Sequence, residues 1–361
     1  MFELSCQVKE RSRRRAARVY AACIVAGSLA GCAGSGASRG GGQDPVVFDS
    51  VTGEVRVTVH GDLRDVIPQF DVTPGWERFL YGPNDFGKTS LRNPQGMALA
   101  DTRLLVADQG FPGITAIDLS SGKRTGWPGS ENGPRCPVDL CADGSGRVYV
   151  ADTTRRAVLV YDSTGRWLDN LRPSEDPDHP FRPAAVVCDS RILFIGDIGS
   201  QQIARWDMDD RTWLEPWSDD VLAAPTGLCL ASDGTLLVVD SLKATLNRVS
   251  SHGQSLGQIS GPGRAPGRFV RPKHVACTAQ GFIVVTDAGK QSVIVFDDAG
   301  RFLAEVNEQP TRWAGFTLPA GAMAIPSGTL ASVMGDAVVI SDAMGRSSLV
   351  LLTIESSVAR R

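Results

Sequence analysis

Short apolar runs recur along this chain, each closing on an aspartate: Leu104-Leu-Val-Ala-Asp108, Val148-Tyr-Val-Ala-Asp152, Leu193-Phe-Ile-Gly-Asp197, Leu236-Leu-Val-Val-Asp240, Ile283-Val-Val-Thr-Asp287 and Val338-Val-Ile-Ser-Asp342. Successive aspartates are 44, 45, 43, 47 and 55 residues apart. Each unit opens on a proline (Pro94, Pro137, Pro183, Pro225, Pro272, Pro319), which suits a strand's first residue because no ladder bond is lost there. A first strand leads through a tight turn such as Asp143-Gly144 or Asp233-Gly234 to the run that ends in Asp. A third strand follows (Ala157 to Tyr161, Ile203 to Trp206, Val293 to Phe296), then a glycine turn and a fourth strand that often carries an aromatic, such as Trp167, Trp213 or Phe302. A repeat near 45 residues, made of four short strands, is one propeller blade. The pattern predicts an all-β chain, a six-bladed β-propeller of four-stranded antiparallel blades.

The units resemble the NHL repeat over roughly residues 79 to 354. Blade five carries the resemblance best: Phe269-x-x-Pro272, Gly281-x-Ile283-x-Val285-x-Asp287, Val293-x-Val295-Phe296 and Gly300-Arg-Phe-Leu303. One feature departs from the family. It usually places Asn three residues after the Asp and Arg two further on, where this chain has Arg155, Ser200, Lys243 and Lys290, then Ala157, Gln202, Thr245 and Ser292. The resemblance implies the fold of a bacterial NHL-repeat lipoprotein and names no ligand.

The first residues read as an export signal. Lys9, Arg11, Arg13, Arg14, Arg15 and Arg18 precede an apolar stretch from Val19 to Leu29, too short for a spanning helix. Leu29-Ala-Gly-Cys32 resembles the bacterial lipobox, which implies that Cys32 is diacylated and becomes the mature N-terminus. Behind it, residues 33–42 are nearly all Gly, Ser and Ala, a flexible tether. The expected organisation is a signal over 1–31, a lipidated tether over 32–44, an extension over 45–75 and the propeller over 76–361. Within the extension, a hairpin is expected between Val46-Phe48 and Val55-Val59. The last blade lacks a fourth strand of its own, and Glu77-Arg-Phe-Leu-Tyr81 is expected to supply it. Such a protein sits lipid-anchored on a bacterial membrane, at the outer membrane if there is one.

The net charge of −3 offers no general attraction for nucleic acid. Cys141 and Cys229 each lie four residues after a blade's proline, and Cys188 and Cys277 each lie five after it. Equivalent points in non-adjacent blades are too far apart to bridge, so all four are expected to be small buried residues. The spacing Cys136-x₄-Cys141 has no second pair to complete a zinc set.

Strand order places the loops after the aspartates and those before the prolines on one face of the ring. Arg92, Arg135, Arg182 and Arg271 sit there one or two residues before a proline, with Lys273 and His274 just inside. Arg155, Arg156, Lys243, Lys290 and Arg346 join them from the loops after the aspartates, and Asp85, Glu131, Glu175, Asp176, Asp219, Asp220 and Glu308 are expected further out. A basic inner ring of this kind suits an anionic ligand, since the planar guanidinium gives paired hydrogen bonds to carboxylate or phosphate. The six repeat aspartates read instead as loop braces, since a single active site has no use for six copies. Some propellers of this type are lyases or hydrolases, and peptidyl amidoglycolate lyase holds zinc with several channel histidines. Here the histidines are His60, His179, His252 and His274, of which only His179 and His274 fall on the plausible face. His274 and Asp139, at the same repeat position three blades apart, form the best polar pair across the channel. No catalytic residue set, metal motif or cofactor is expected. The expected function is a monomeric, membrane-anchored binding or scaffolding module for an envelope protein or anionic polysaccharide, with a channel-mouth lyase or hydrolase as the alternative.

Overall fold

The computed structural model describes residues 46–50, 55–63, 91–110, 113–127, 132–173, 180–218, 222–307, 316–326, 336–344 and 349–356. The described chain opens with an antiparallel hairpin, β1 (Val46–Asp49) and β2 (Val55–Asp62), with Val46 opposite Val59. Blade one is β3 (Pro94–Ala100), β4 (Arg103–Asp108), β5 (Gly113–Asp118) and β6 (Arg124–Trp127). Blade two is β7 (Pro137–Ala142), β8 (Val148–Asp152), β9 (Ala157–Tyr161) and β10 (Trp167–Leu171). Blade three is β11 (Pro183–Cys188), β12 (Ile192–Asp197), β13 (Gln202–Asp207) and β14 (Thr212–Ser218). Blade four is β15 (Pro225–Leu230), β16 (Leu236–Asp240), β17 (Thr245–Val249) and β18 (Ser255–Ser260). Blade five is β19 (Pro272–Cys277), β20 (Ile283–Asp287), β21 (Ser292–Phe296) and β22 (Phe302–Val306). Blade six is β23 (Pro319–Ile325), β24 (Asp336–Asp342) and β25 (Leu349–Ser356). Each first strand packs against the next, and β23 returns to β3, so the six sheets close a ring about a central channel.

The hydrophobic core is not one mass but six seams, one between each pair of neighbouring blades. Second strands are sandwiched between two seams and are buried at almost every position, as β8, β16 and β20 show. This is why the apolar runs ahead of the aspartates are continuous rather than alternating. Fourth strands lie at the rim, and β18 is exposed along most of its length.

In every blade the opening proline lies opposite the closing aspartate, with a β-bulge directly after the proline. The bulge frees the backbone before the proline to turn back onto the aspartate. Asp287, fully buried, accepts from the N–H groups of Val270 (2.7 Å), Arg271 (3.0 Å), Gly289 (2.8 Å) and Lys290 (2.9 Å). Asp240 does the same for Ala223, Ala224, Leu242 and Lys243. The aspartates are therefore the loop braces that the repeat implied, and they reach further than an Asx turn. Each ties the entrance of its own blade's first strand to the exit of its second.

Closure differs from the expectation. The hairpin over 46–59 forms, but its second strand β2 pairs with β25 (Val57 opposite Ile354, Val59 opposite Leu352), making blade six a five-stranded sheet in the order β1-β2-β25-β24-β23. The edge assigned to residues 77–81 is thus filled by residues 55–62, and 77–81 lie outside the described residues. Residues 46–49 and 55–62, expected within a separate extension, belong to the propeller sheet itself. Val55, Val57 and Val59 pack into the seam between blades five and six.

The cysteines also differ from the expectation. Cys229 and Cys277 form a disulfide between blades four and five, with Cα atoms 6.2 Å apart. The bridge joins positions that are unlike in the repeat. Within a strand the fourth and fifth residues after the proline point to opposite faces, so the fourth of one blade meets the fifth of the next.

Candidate functional site

Two residues after each proline, the chain places Gly96, Asp139, Ala185, Gly227, His274 and Gly321 around the channel. Four of these are small, and the two large ones meet. His274 Nε2 lies 3.3 Å from Asp139 Oδ1, and both residues are buried. The glycines permit this approach: a Cβ on Gly227 would sit 2.8 Å from the Cα of His274, and one on Gly96 would sit 2.6 Å from the Cα of Asp139. The remaining polar atoms of the pair are also engaged. The Ala322 N–H donates to His274 Nδ1 at 3.4 Å, and the Val186 N–H donates to Asp139 Oδ2 at 2.9 Å. In the tautomer whose Nδ1 accepts from Ala322, Nε2 carries the proton and donates it to the Asp139 carboxylate. The chain of bonds links blades six, five, two and three across the axis. With each ring nitrogen and each carboxylate oxygen in a hydrogen bond, the pair braces the channel.

The four arginines stand at one end of this channel in a common setting. Their main-chain N–H groups hold the blade aspartates: Arg92 on Asp108 (2.8 Å), Arg135 on Asp152 (2.5 Å), Arg182 on Asp197 (2.8 Å) and Arg271 on Asp287 (3.0 Å). The same residues are exposed, so each backbone is pinned while the guanidinium is left toward solvent. No guanidinium of the four makes a hydrogen bond or ion pair among the described residues. Lys273 is half-buried beside them, and burial, followed by the charge of Arg271, lowers its ammonium pKa below the ordinary lysine value. Each of the carboxylates beneath accepts at least two main-chain N–H bonds.

Other expected members of the ring are engaged elsewhere. Lys290 Nζ pairs with Glu305 at 2.7 Å and caps the carbonyls of Ala265 and Arg268. Arg155 Nε donates to the Gly133 carbonyl at 2.6 Å. These two serve their own loops. Arg156 is exposed, with a left-handed backbone (φ 53°), and Lys243 gives its N–H to Asp240. Arg346, His179 and the whole set of acidic rim residues lie outside the described residues. His60 belongs to β2, where its Nε2 meets Thr353 Oγ1 at 2.8 Å and burial lowers its pKa. His252 is exposed in the β17–β18 turn. Among the described residues no three His, Cys, Asp or Glu side chains are placed to hold a metal ion. The sequence did not show the hydroxyls that stitch blades together beside the channel: Ser241 on the Pro272 carbonyl (2.5 Å), Thr153 on that of Pro183 (3.4 Å) and Ser341 on that of Gln95 (2.6 Å). Their recurrence near the aspartate is the signal that would have found them.

Among solved structures, a gluconolactonase from Xanthomonas campestris superposes with a TM-score of 0.60 at 14% identity, over 90% of this chain and 100% of that one. Virginiamycin B lyase from Staphylococcus aureus matches with a TM-score of 0.52 at 13% identity, over 75% of this chain and 85% of that one. This chain is a six-bladed β-propeller. A protein of unknown function from Bacteroides thetaiotaomicron matches over 73% of this chain and 70% of its own, at 15% identity and a TM-score of 0.56. At such identities the likeness is one of fold alone. No family model matches the propeller's sequence, and no curated protein does.

Proposed function

We propose that this chain is an exported, lipid-anchored propeller of the NHL type. Its arginine-bearing face binds an anionic group on an envelope polysaccharide or on an acidic loop of a protein partner. The carrying observation is the set of Arg92, Arg135, Arg182 and Arg271, exposed one or two residues before a blade's proline without a counter-ion among the described residues, beside a half-buried Lys273. Backbones pinned to the blade aspartates limit the entropy lost when the side chains engage a ligand. Substituting Arg135→Ala together with Arg271→Ala tests the reading. In phosphate or polyuronate at low salt the native chain melts several degrees higher, and the gain shrinks as salt screens it. The double variant shows no such gain, while its ligand-free Tm is equal or higher because like charges have been removed. Equal responses of the two proteins would make the arginines ordinary solvated loop residues.

Anchoring rests on Leu29-Ala-Gly-Cys32. The mature protein partitions into detergent, and Cys32→Ser releases it or leaves the precursor uncleaved. Normal processing and membrane association of that variant would sink the lipid anchor. The alternative of a lyase or hydrolase finds its best residues in His274 and Asp139. Both are occupied by the hydrogen bonds that cross the channel, which favours binding over chemistry at that point.

A further inference from the structure

We propose that Cys141 and Cys188 form a second inter-blade disulfide, the counterpart between blades two and three of the Cys229–Cys277 bond between blades four and five. Cys141 is the fourth residue after its proline and Cys188 the fifth after the next one, the same pair of positions that Cys229 and Cys277 occupy. The equivalence is physical as well as formal. Cys141 and Cys188 pack against one seam, just as Cys229 and Cys277 pack against theirs, and β7 contacts β11 as β15 contacts β19. The Cys188 thiol donates to the carbonyl of Ala142, the residue beside Cys141, at 3.4 Å. The Cα separation of 6.2 Å in the formed bridge lies within the usual disulfide range of about 4.4–6.8 Å. Other seams fill these two positions with apolar pairs such as Ala98 with Ala142 or Ala276 with Ala324. All four cysteines of the first strands thus fall on facing positions, in two matched sets.

Burial, and then the neighbouring Cys188, raises the Cys141 thiol well above its ordinary pKa, so exchange through its thiolate is slower in the closed seam than while the strands are still assembling. Oxidation takes place during assembly of the blades, by exchange with a disulfide-carrying oxidant. One thiolate attacks the carrier's S–S bond to give a mixed disulfide, and the second displaces the carrier's remaining thiol. The two cysteines lose two protons and two electrons, and the carrier leaves as two thiols. Such bridges persist in oxidising compartments.

The test refolds the full chain from denaturant in glutathione buffers from reducing to oxidising, followed by alkylation in denaturant and peptide mass mapping. Cys141–Cys188 and Cys229–Cys277 cross-links should both appear in the oxidising range, with Cys136 alkylated. Alkylated Cys141 and Cys188 under conditions where Cys229–Cys277 is fully linked would overturn the proposal, as would a bridge from either to Cys136. A chain carrying Cys229→Ser and Cys277→Ser provides a second measurement. Its Tm should still fall by several degrees on reduction, and Cys141→Ala with Cys188→Ala should abolish that fall. Identical melting with and without reductant in the first of these variants would equally overturn the bridge. None of these outcomes depends on whether the arginine face binds an anion.

Discussion

Deleting residues 46–62 abolishes the single cooperative melt of the propeller. These residues form β1 and β2, and β2 is the strand that covers the outer edge of β25 from Val55 opposite Ser356 to Asp62 opposite Val350. Without it that edge exposes a row of unpaired N–H and C=O groups, a template for association with another chain. The loss also uncovers Val46, Val55, Val57 and Val59, all of them in the seam with blade five. Fully burying a side chain of this size contributes about 1.5–3 kcal/mol, and a whole domain is stable by only about 5–15 kcal/mol. The deletion should therefore give a broadened, earlier transition in calorimetry and concentration-dependent association in light scattering. Deleting 33–44 should change neither. An intact, sharp transition after removal of 46–62 would show that another segment closes the ring.

Asp287→Ala is the point substitution with the largest expected cost, about 3–5 kcal/mol in denaturant unfolding. The fully buried carboxylate accepts four main-chain N–H bonds at 2.7–3.0 Å. Hydrogen bonds to a charged group contribute about 1.5–3 kcal/mol each, and donors left without a partner in the interior add a desolvation cost. Asp287→Asn should fall between, since one carbonyl oxygen survives while an NH₂ is set against a donor. Exposed Asp298→Ala should stay within about 0.5 kcal/mol of the native chain. If Asp287→Ala costs no more than Asp298→Ala, the repeat aspartates do not brace the blades.

The channel pair and the cysteines show how far repeat arithmetic reaches. Counting from each proline put His274 and Asp139 at one position three blades apart, and the fold brings them within hydrogen-bonding distance. The same counting failed for Cys229 and Cys277, because it compares like positions and a seam joins unlike ones. The basic ring was legible only in part. Side-chain length lets Lys290 and Arg155 fold back onto nearby acceptors, a choice that residue type does not encode.

The repeat, the opening prolines, the closing aspartates and the continuous apolar runs determined blade number, strand order and the burial of every second strand. Each is a local demand of backbone hydrogen bonding and side-chain alternation, so it is written wherever the chain must satisfy it. Which strand closes the ring, which cysteines face each other and which cations remain unpaired depended on contacts between residues far apart in the chain. Alternation identifies Val55–Val59 as a strand, but any free edge of matching length can receive it. Only the closed ring, by bringing β25 alongside residues 55–62, decided which edge that is.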